Sequence, residues 1–111
     1  MKIRVSEATP EQLDRLVAQI EGVPYTYQHV ASGGYGRDSV TQRKRRFSTD
    51  WSQGGPIIER ERINLEPFTS INGEQWLADS AWDSPTPLIA AMRCFVASKL
   101  GDEAEVPDEL T

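Results

Sequence analysis

The sequence predicts a single small α+β domain, with helices packed on an antiparallel β-hairpin or sheet in an arrangement like an α-β-α sandwich. Three observations predict it: a capped amphipathic helix near the start, an Asn-Gly turn between two apolar stretches, and a second capped helix near the end. With 111 residues, 38% of them hydrophobic, the chain is large enough for one core. We place the domain at residues 1–101 and an acidic C-terminal tail at residues 102–111.

The first helix is predicted over TPEQLDRLVAQIEG, residues 9–22. Thr9 is placed to cap it, Pro10 suits the first helical position, Gln12 completes a capping box, and Gly22 ends it. The apolar positions recur three and four residues apart and form one stripe: Leu13, Leu16, Val17 and Ile20. We therefore expect this helix to lie on the core with its polar side in water.

Residues 23–47 show no sustained period and contain a cluster of glycines at positions 33, 34 and 36. We interpret the stretch as a long loop with one short extended segment at residues 25–30. Loops of this length inside a small domain are functional or mobile.

A second helix is predicted within residues 50–64, but its start has two interpretations. Pro56 suits a first helical position, which would begin the helix there. Alternatively, residues 48–50 cap an earlier turn, and the helix kinks at Pro56. The sequence leaves both open.

A β-hairpin is predicted from residues 65–71 and 74–82, which flank Asn72 and Gly73, the pair best suited to a type I′ turn. Pro67 lacks the N–H that an inner strand donates, which places the first of these strands at a sheet edge.

The last helix is predicted from Pro87 to Leu100, capped by Thr86 and stopped by Gly101. Its apolar side faces the core, and its other side consists of small residues: Ala90, Ala91, Cys94, Ala97 and Ser98. Small side chains let another backbone approach closely. We expect a protein interface on this side, at Ala90, Cys94 and Ala97, and another candidate at Trp51, because exposed tryptophans are frequent in interfaces.

Charge is distributed unevenly along a chain whose formal net charge is −5. Arg43, Lys44, Arg45 and Arg46 form an uninterrupted basic run, whereas residues 102–111 are strongly acidic. The run is a candidate nucleic-acid contact, since such residues neutralise phosphates. The alternatives are a solvated loop and an arm held by the acidic tail of the same or a second chain.

Catalytic patterns are weak in this sequence. Cys94 and His29 are the only thiol and imidazole, and a mid-helix cysteine behaves as a small buried hydrophobe. The enzyme question stays open at this point, but we lean against an enzyme and expect no catalytic, cofactor or metal site. The single cysteine also fits a reducing compartment.

Three segments carry a resemblance to a known family. STDWSQGGPIIERERI at 48–63 and TPLIAAMRCFVASKLGDEAEVPDEL at 86–110 resemble the NinX-like family of small proteins of lambdoid phages and prophages. LDRLVAQIEG at 13–22 is similar to the same family, although Arg15 stands where its members carry tryptophan. The resemblance implies an α+β fold and a phage accessory protein in the cytoplasm of a bacterial host. It implies no active site.

The leading hypothesis is therefore a non-enzymatic phage or prophage accessory protein that acts as a protein-protein interaction module. Its partner would be itself, as a homodimer, or a host or phage protein. The alternative is a nucleic-acid-binding accessory protein that uses residues 43–46. We expect no membrane contact, because the longest apolar stretch is short and contains Arg93 and Lys99.

Overall fold

Three helices and three small antiparallel sheets are present in the part of the chain that the structure describes. This computed structural model describes residues 1–32, 38–71 and 73–106. The helices are α1 (Pro10–Glu21), α2 (Trp51–Glu61) and α3 (Pro87–Leu100). The strands are β1 (Lys2–Arg4), β2 (Thr26–Ser32), β3 (Asp38–Lys44), β4 (Leu65–Ser70), β5 (Gly73–Ala78), β6 (Trp82–Ser84) and β7 (Glu103–Glu105). They pair as β1–β7, β2–β3 and β4–β5–β6, which confirms the α+β class.

Helix α1 begins and ends where the sequence predicts. The Thr9 hydroxyl accepts from the backbone N–H of Gln12, and the Gln12 side chain accepts from the backbone N–H of Thr9, which completes the capping box. Gly22 ends the helix in the left-handed conformation, with φ of 71°. The predicted stripe faces inward, and Leu13 and Val17 are completely buried.

One buried polar contact joins α1 to the start of α2. The carboxylate of Asp14 accepts from both the backbone N–H and the hydroxyl of Ser48, at 2.8 and 2.7 Å. Burial raises the pKa of Asp14 above its ordinary value, although the two bonds from Ser48 act in the opposite direction. The contact fixes the position of the chain just before α2.

Helix α3 lies at the centre of the molecule and contacts α1, α2, β5 and β6. Among the described elements it contributes the largest share of the buried core: Leu88, Ala90, Ala91, Met92, Cys94, Phe95 and Val96. The bounds of α3 are as predicted, but Thr86 makes no side-chain capping bond. The guanidinium of Arg93 donates to the carbonyl of Ala8 at 3.1 Å and to that of Asp83 at 3.2 Å, which ties α3 to its surroundings.

Helix α2 takes the earlier of its two predicted starts. Asp50 caps it, since its carboxylate accepts from the backbone N–H of Ser52, and Pro56 lies inside the helix. Gly54 is buried where α2 meets α3: a Cβ there would lie 2.6 Å from Leu88 Cδ1 and even closer to the carbonyl oxygen of Phe47. Only glycine permits this approach.

The sheet β4–β5–β6 contains the predicted hairpin and one strand that the sequence did not separate. β4 lies at the edge, as Pro67 predicts. The prediction of one strand over residues 74–82 is wrong, because Asp79 and Ser80 adopt positive φ and reverse the chain. Residues 82–84 then return along β5 as β6. The predicted turn type depends on Asn72, which lies outside the described residues.

The interpretation of residues 23–47 as a loop is wrong for most of the stretch. β2 contains the predicted extended segment, and β3 pairs with it over its whole length. None of the side chains described in β2 or β3 belongs to the buried core. The sequence lacks a hydrophobic pattern here because neither face of the hairpin packs on the core. Residues 33–37, with the three glycines, lie outside the described residues.

The predicted acidic tail begins with a strand of the domain itself. β7 pairs with β1, and Ile3 lies opposite Ala104. Ala104 and Val106 are buried, so these two apolar residues complete the core while their acidic neighbours face water. The described part of residues 102–111 is thus integrated into the fold. Residues 107–111 lie outside the described residues.

Candidate functional site

The hairpin of β2 and β3 carries the basic run that the sequence marks as a candidate contact. Side chains of paired residues point to the same face of a hairpin, and successive pairs alternate between its faces. Tyr27 lies opposite Arg43 on one face, and Val30 lies opposite Val40 on the other. The two faces therefore differ, one being aromatic and basic and the other carrying an apolar pair.

Four contacts hold the root of the hairpin: two close it, and two join it to α1. The backbone N–H of Arg45 donates to the carbonyl of Tyr25 at 2.8 Å, and its Nε donates to the carbonyl of Pro24 at 3.1 Å. The Tyr25 hydroxyl donates to the carboxylate of Glu11 on α1 at 3.3 Å. Lys44 Nζ lies 3.7 Å from the same carboxylate, in a solvent-exposed ion pair that contributes little to stability.

Arginine side chains stack on both tyrosines at this root. The guanidinium of Arg15 lies 4.6 Å from the ring centroid of Tyr25, and that of Arg45 lies 4.3 Å from the ring centroid of Tyr27. Such cation–π contacts hold the rings in fixed orientations. Burial raises the pKa of Tyr25, and the neighbouring carboxylate of Glu11 raises it further.

The basic run consists of the end of β3 and the turn after it, and not of a loop. Arg43 and Lys44 are the last two residues of β3, and both are exposed. Arg45 is half-buried by its stacking on Tyr27. The backbone N–H of Arg46 donates to Oε1 of Gln53 at 2.8 Å, which fixes the turn against α2.

A cleft of about 530 Å³ lies between this end of β3 and the start of α2. The structure brings three of the four predicted basic residues together in its lining: Arg43, Lys44 and Arg46. The remaining lining residues are polar or aromatic: Tyr27, Gln42, Asp50 and Gln53. The cleft is basic and has one aromatic ring and two amide side chains, which can donate and accept hydrogen bonds.

Asp50 is the one carboxylate in the lining of this cleft. Both the hydroxyl and the backbone N–H of Ser52 donate to it, at 2.7 and 2.9 Å, and Nε2 of Gln53 donates at 3.1 Å. These bonds hold the pKa of Asp50 below its ordinary value, so its carboxylate stays ionised at neutral pH. Its oxygens are engaged in capping α2.

Trp51, one of the residues predicted to contact a protein, is 53% exposed. It is the first residue of α2 and directly follows Asp50 of the cleft lining. Its indole lies along the helix near Gly55. An exposed tryptophan beside a cleft is compatible with the predicted contact role.

The other predicted protein contacts lie in a different place. Ala90 and Cys94 are buried in the core, and Ala97 packs against the core in a half-buried position. The thiol of Cys94 donates to the carboxylate of Asp79, just after β5, at 3.3 Å. The small side chains of α3 therefore allow close approach of this chain's own sheet. The prediction of a partner surface at Ala90 and Cys94 is wrong.

The environment of Cys94 suppresses the chemistry of its thiol. Burial, with the adjacent Asp79 carboxylate, raises the pKa of Cys94 to about 12. The thiolate, which is the nucleophilic form, is therefore scarce at neutral pH. Among residues 1–32, 38–71 and 73–106, no three side chains of the His, Cys, Asp and Glu types are grouped to hold a metal ion.

Sequence reasoning missed four lining residues of the cleft and the exposed apolar pair. Gln42 directly precedes the basic run in the sequence, whereas Tyr27, Asp50 and Gln53 join it only through the fold, because β2 and α2 come from either side of it in the sequence. Val30 and Val40 had a visible signal, since they are isolated valines three residues before Gly33 and four residues after Gly36. A hairpin with its strands on either side of the glycines can pair two such valines.

The fold and the site define a small single-domain α+β protein whose charged hairpin stands outside its core. The sequence profile of the family described as Bacteriophage P22, NinX matches residues 4–99. The chain belongs to this family, which confirms the resemblance and makes it a phage accessory protein. No curated protein matches the chain. No helix within the described ranges has the length and apolar character needed to cross a membrane.

Proposed function

We propose that this phage accessory protein is non-enzymatic and acts by binding another protein through the hairpin of β2 and β3. The observation that carries the proposal is the apolar pair Val30 and Val40, which are 57% and 59% exposed. The two residues lie directly opposite each other, so they form one continuous apolar surface on a hairpin that is otherwise polar on that face. Contact of this apolar surface with water is unfavourable, and a bound partner would exclude the water.

The open edges of the hairpin support the same proposal. Among the described residues, β2 and β3 form a sheet of their own, so no strand pairs with the outer edge of either. Such edges can accept an extended segment of another chain through main-chain hydrogen bonds. The valine pair would then supply an anchor beside the added strand. Trp51 offers a second aromatic anchor near the root of the hairpin.

The hairpin is also suited to binding because its loss would cost the domain little. Its described side chains lie outside the core, and the root contacts hold it in place. Substitutions on it therefore test binding separately from folding. The bacterial cytoplasm is the compartment that we propose for this interaction, and the single cysteine, Cys94, is a free thiol there.

A photo-crosslinking experiment tests the proposal. A photoreactive amino acid replaces Val40 in the full chain, which is expressed during phage infection, and crosslinked species are identified by mass spectrometry. A second chain carries the same amino acid at Ile71, which is fully exposed at the turn after β4 and serves as a matched control. We expect one discrete partner, or a second copy of this chain, at position 40 only.

The partner must then bind the purified protein, and the double variant Val30→Thr, Val40→Thr must weaken that binding. Threonine keeps the β-branched shape and the strand preference of valine, but its hydroxyl is costly to bury without a partner, by about 1–3 kcal/mol. We expect an affinity loss of at least about tenfold. Equal crosslinking at positions 40 and 71, or unchanged affinity in the double variant, would contradict the proposal.

A further inference from the structure

We infer that the cleft between β3 and α2 binds single-stranded nucleic acid, with Arg43 and Arg46 on phosphates and Tyr27 against a base. This activity uses the root of the hairpin and is independent of the valine pair near its other end. It assigns a ligand class to the basic run on the strength of the side chains that the fold gathers around it.

Local charge is the first support for this ligand. Three basic residues and one acidic residue line the cleft, in a protein whose formal net charge is −5, and of the three basic residues Lys44 also pairs with Glu11 at 3.7 Å. No ion pair within the described residues involves Arg43 or the side chain of Arg46, although the charge of Arg46 also acts on the carboxylates of Asp14 and Asp50. Arginine suits phosphate because its planar guanidinium donates two parallel hydrogen bonds.

Tyr27 is the second support, because an aromatic ring can stack on a base and so favours nucleic acid over polyanions that have no bases. The guanidinium of Arg45 lies 4.3 Å from the ring centroid of Tyr27 and holds the ring in place, while the ring also lines the cleft. An aromatic ring fixed beside arginines is the usual platform for an unpaired base.

The dimensions and the position of Asp50 favour a single strand over a duplex. A volume of about 530 Å³ accommodates a short length of one strand rather than a double helix. In a duplex, moreover, the bases are stacked on each other and offer no free face to Tyr27. The Asp50 carboxylate already accepts three hydrogen bonds and lies at the α2 side of the cleft, which leaves the β3 side to the phosphates.

Fluorescence anisotropy with labelled oligonucleotides tests the inference on the full chain. Single-stranded DNA, single-stranded RNA and duplex DNA of one length are titrated between about 50 and 200 mM salt, the range over which phosphate contacts lose most of their affinity. We expect saturable binding of the single strands, weaker binding of the duplex, and affinity that falls with salt. Comparison of the affinities for single-stranded DNA and RNA shows whether the cleft prefers deoxyribose or ribose.

The variants separate phosphate contacts from general charge. Arg43→Ala with Arg46→Ala removes two phosphate contacts, so the slope of log affinity against log salt should become shallower by about 1.4. Lys2→Ala with Arg4→Ala removes the same charge from β1 and should leave that slope unchanged. Tyr27→Leu should lower affinity by about 5- to 150-fold, while Tyr27→Phe, which keeps the ring, should retain it.

Three outcomes would overturn the inference. The first is no single-strand binding at about 50 mM salt by wild-type protein that is folded by circular dichroism. The second is an equal loss in the β1 control. The third is full displacement of the oligonucleotide by polyglutamate of equal charge, which would identify an acidic protein segment as the ligand. The Val30→Thr, Val40→Thr protein should bind nucleic acid normally, so failure here and failure of the protein-binding proposal are distinguishable.

Discussion

Replacing Gly54 with alanine should destabilise the protein, whereas the same change at the adjacent Gly55 should change its stability little. Both glycines lie inside α2, where alanine is the better helix former by about 1 kcal/mol. Their surroundings differ. A Cβ at Gly54 would lie 2.6 Å from Leu88 Cδ1 and would collide with the carbonyl oxygen of Phe47, while a Cβ at Gly55 would meet, apart from its chain neighbours, only Trp51 Cε3 at 3.9 Å.

The magnitude follows from those contacts. Carbon atoms pack at about 3.5–4.0 Å, so α2 must move away from α3 or Leu88 must leave its rotamer. The carbonyl of Phe47 is backbone and cannot rotate away by itself. Overpacking of this kind costs about 1–3 kcal/mol, and the gain in helix propensity offsets part of it. We expect Gly54→Ala to lower the free energy of unfolding by about 1–2 kcal/mol. Gly55→Ala should change it by less than about 0.5 kcal/mol, because contact of the new Cβ with the ring of Pro56 offsets the gain in helix propensity.

Thermal unfolding followed by circular dichroism measures both changes. A domain of this length has an unfolding entropy of about 0.23 kcal/mol/K, so Gly54→Ala should lower the Tm by about 4–9 °C. Gly55→Ala should shift it by less than about 2 °C. Equal shifts of the two variants, or a Gly54→Ala protein as stable as the wild type, would refute the account of how α2 packs on α3.

Three further predictions concern side chains that are buried or partly buried. Asp14→Asn keeps the acceptor for Ser48 and should make the free energy of unfolding less dependent on pH. Burial raises the pKa of Asp14 above its ordinary value of 3.8 in the folded protein. The stability that this pKa difference contributes is therefore complete below pH 3.8 and is lost as pH rises through the folded-state pKa. Urea unfolding between about pH 4 and pH 7 measures this. Cys94, with its pKa raised from 9.0 to about 12, should react with iodoacetamide about a thousandfold more slowly in the folded protein than in urea at pH 8. Arg93→Lys should lower the free energy of unfolding by about 1–2 kcal/mol, because an ammonium cannot reach both carbonyls that the guanidinium bridges.

Each of these predictions has its own control. Asp14→Ala removes the acceptor as well as the charge, so it should unfold at lower urea than Asp14→Asn at every pH. Alkylation of Cys94 at equal rates with and without urea would mean that the thiol is not protected. Arg62→Lys changes an exposed arginine and should leave stability unchanged; if it costs as much as Arg93→Lys, the bridging contacts are not the cause.

The helices were predictable because their signals are local. The capping box of Thr9 and Gln12 and the left-handed Gly22 lie within a few residues of the helix ends that they determine. The same holds for Pro87 and Gly101 at the ends of α3. Local hydrogen bonding and backbone conformation decide these boundaries before any tertiary contact forms.

The strands were less predictable because their pairing is not local. β3 contains a single apolar residue, Val40, so it shows no alternation, and only its hydrogen bonds to β2 make it a strand. β7 is hidden among acidic residues and is revealed only by the burial of Ala104 and Val106. The turn at Asp79 and Ser80 uses positive φ without glycine, which sequence rules rarely anticipate.

The candidate sites, too, were predictable only where their signals are local in the sequence. The basic run at 43–46 is visible in the sequence, but the cleft that gives it a shape needs Tyr27 from β2 and Gln53 from α2. Conversely, the small residues of α3 form a correct pattern with a wrong interpretation. A stripe of small side chains predicts close approach of a backbone, and it does not say whether that backbone comes from the same chain or from another.

The pairing of β1 with β7 has a consequence for the order in which the protein matures on the ribosome. Ile3 leaves the exit tunnel early, yet its strand partner at Ala104 is translated about 100 residues later. Until then, the core lacks Ala104 and Val106, and its nascent apolar surface stays open to chaperones and proteases. A ribosome that stalls before β7 should therefore release a chain that is degraded rather than a shortened functional protein.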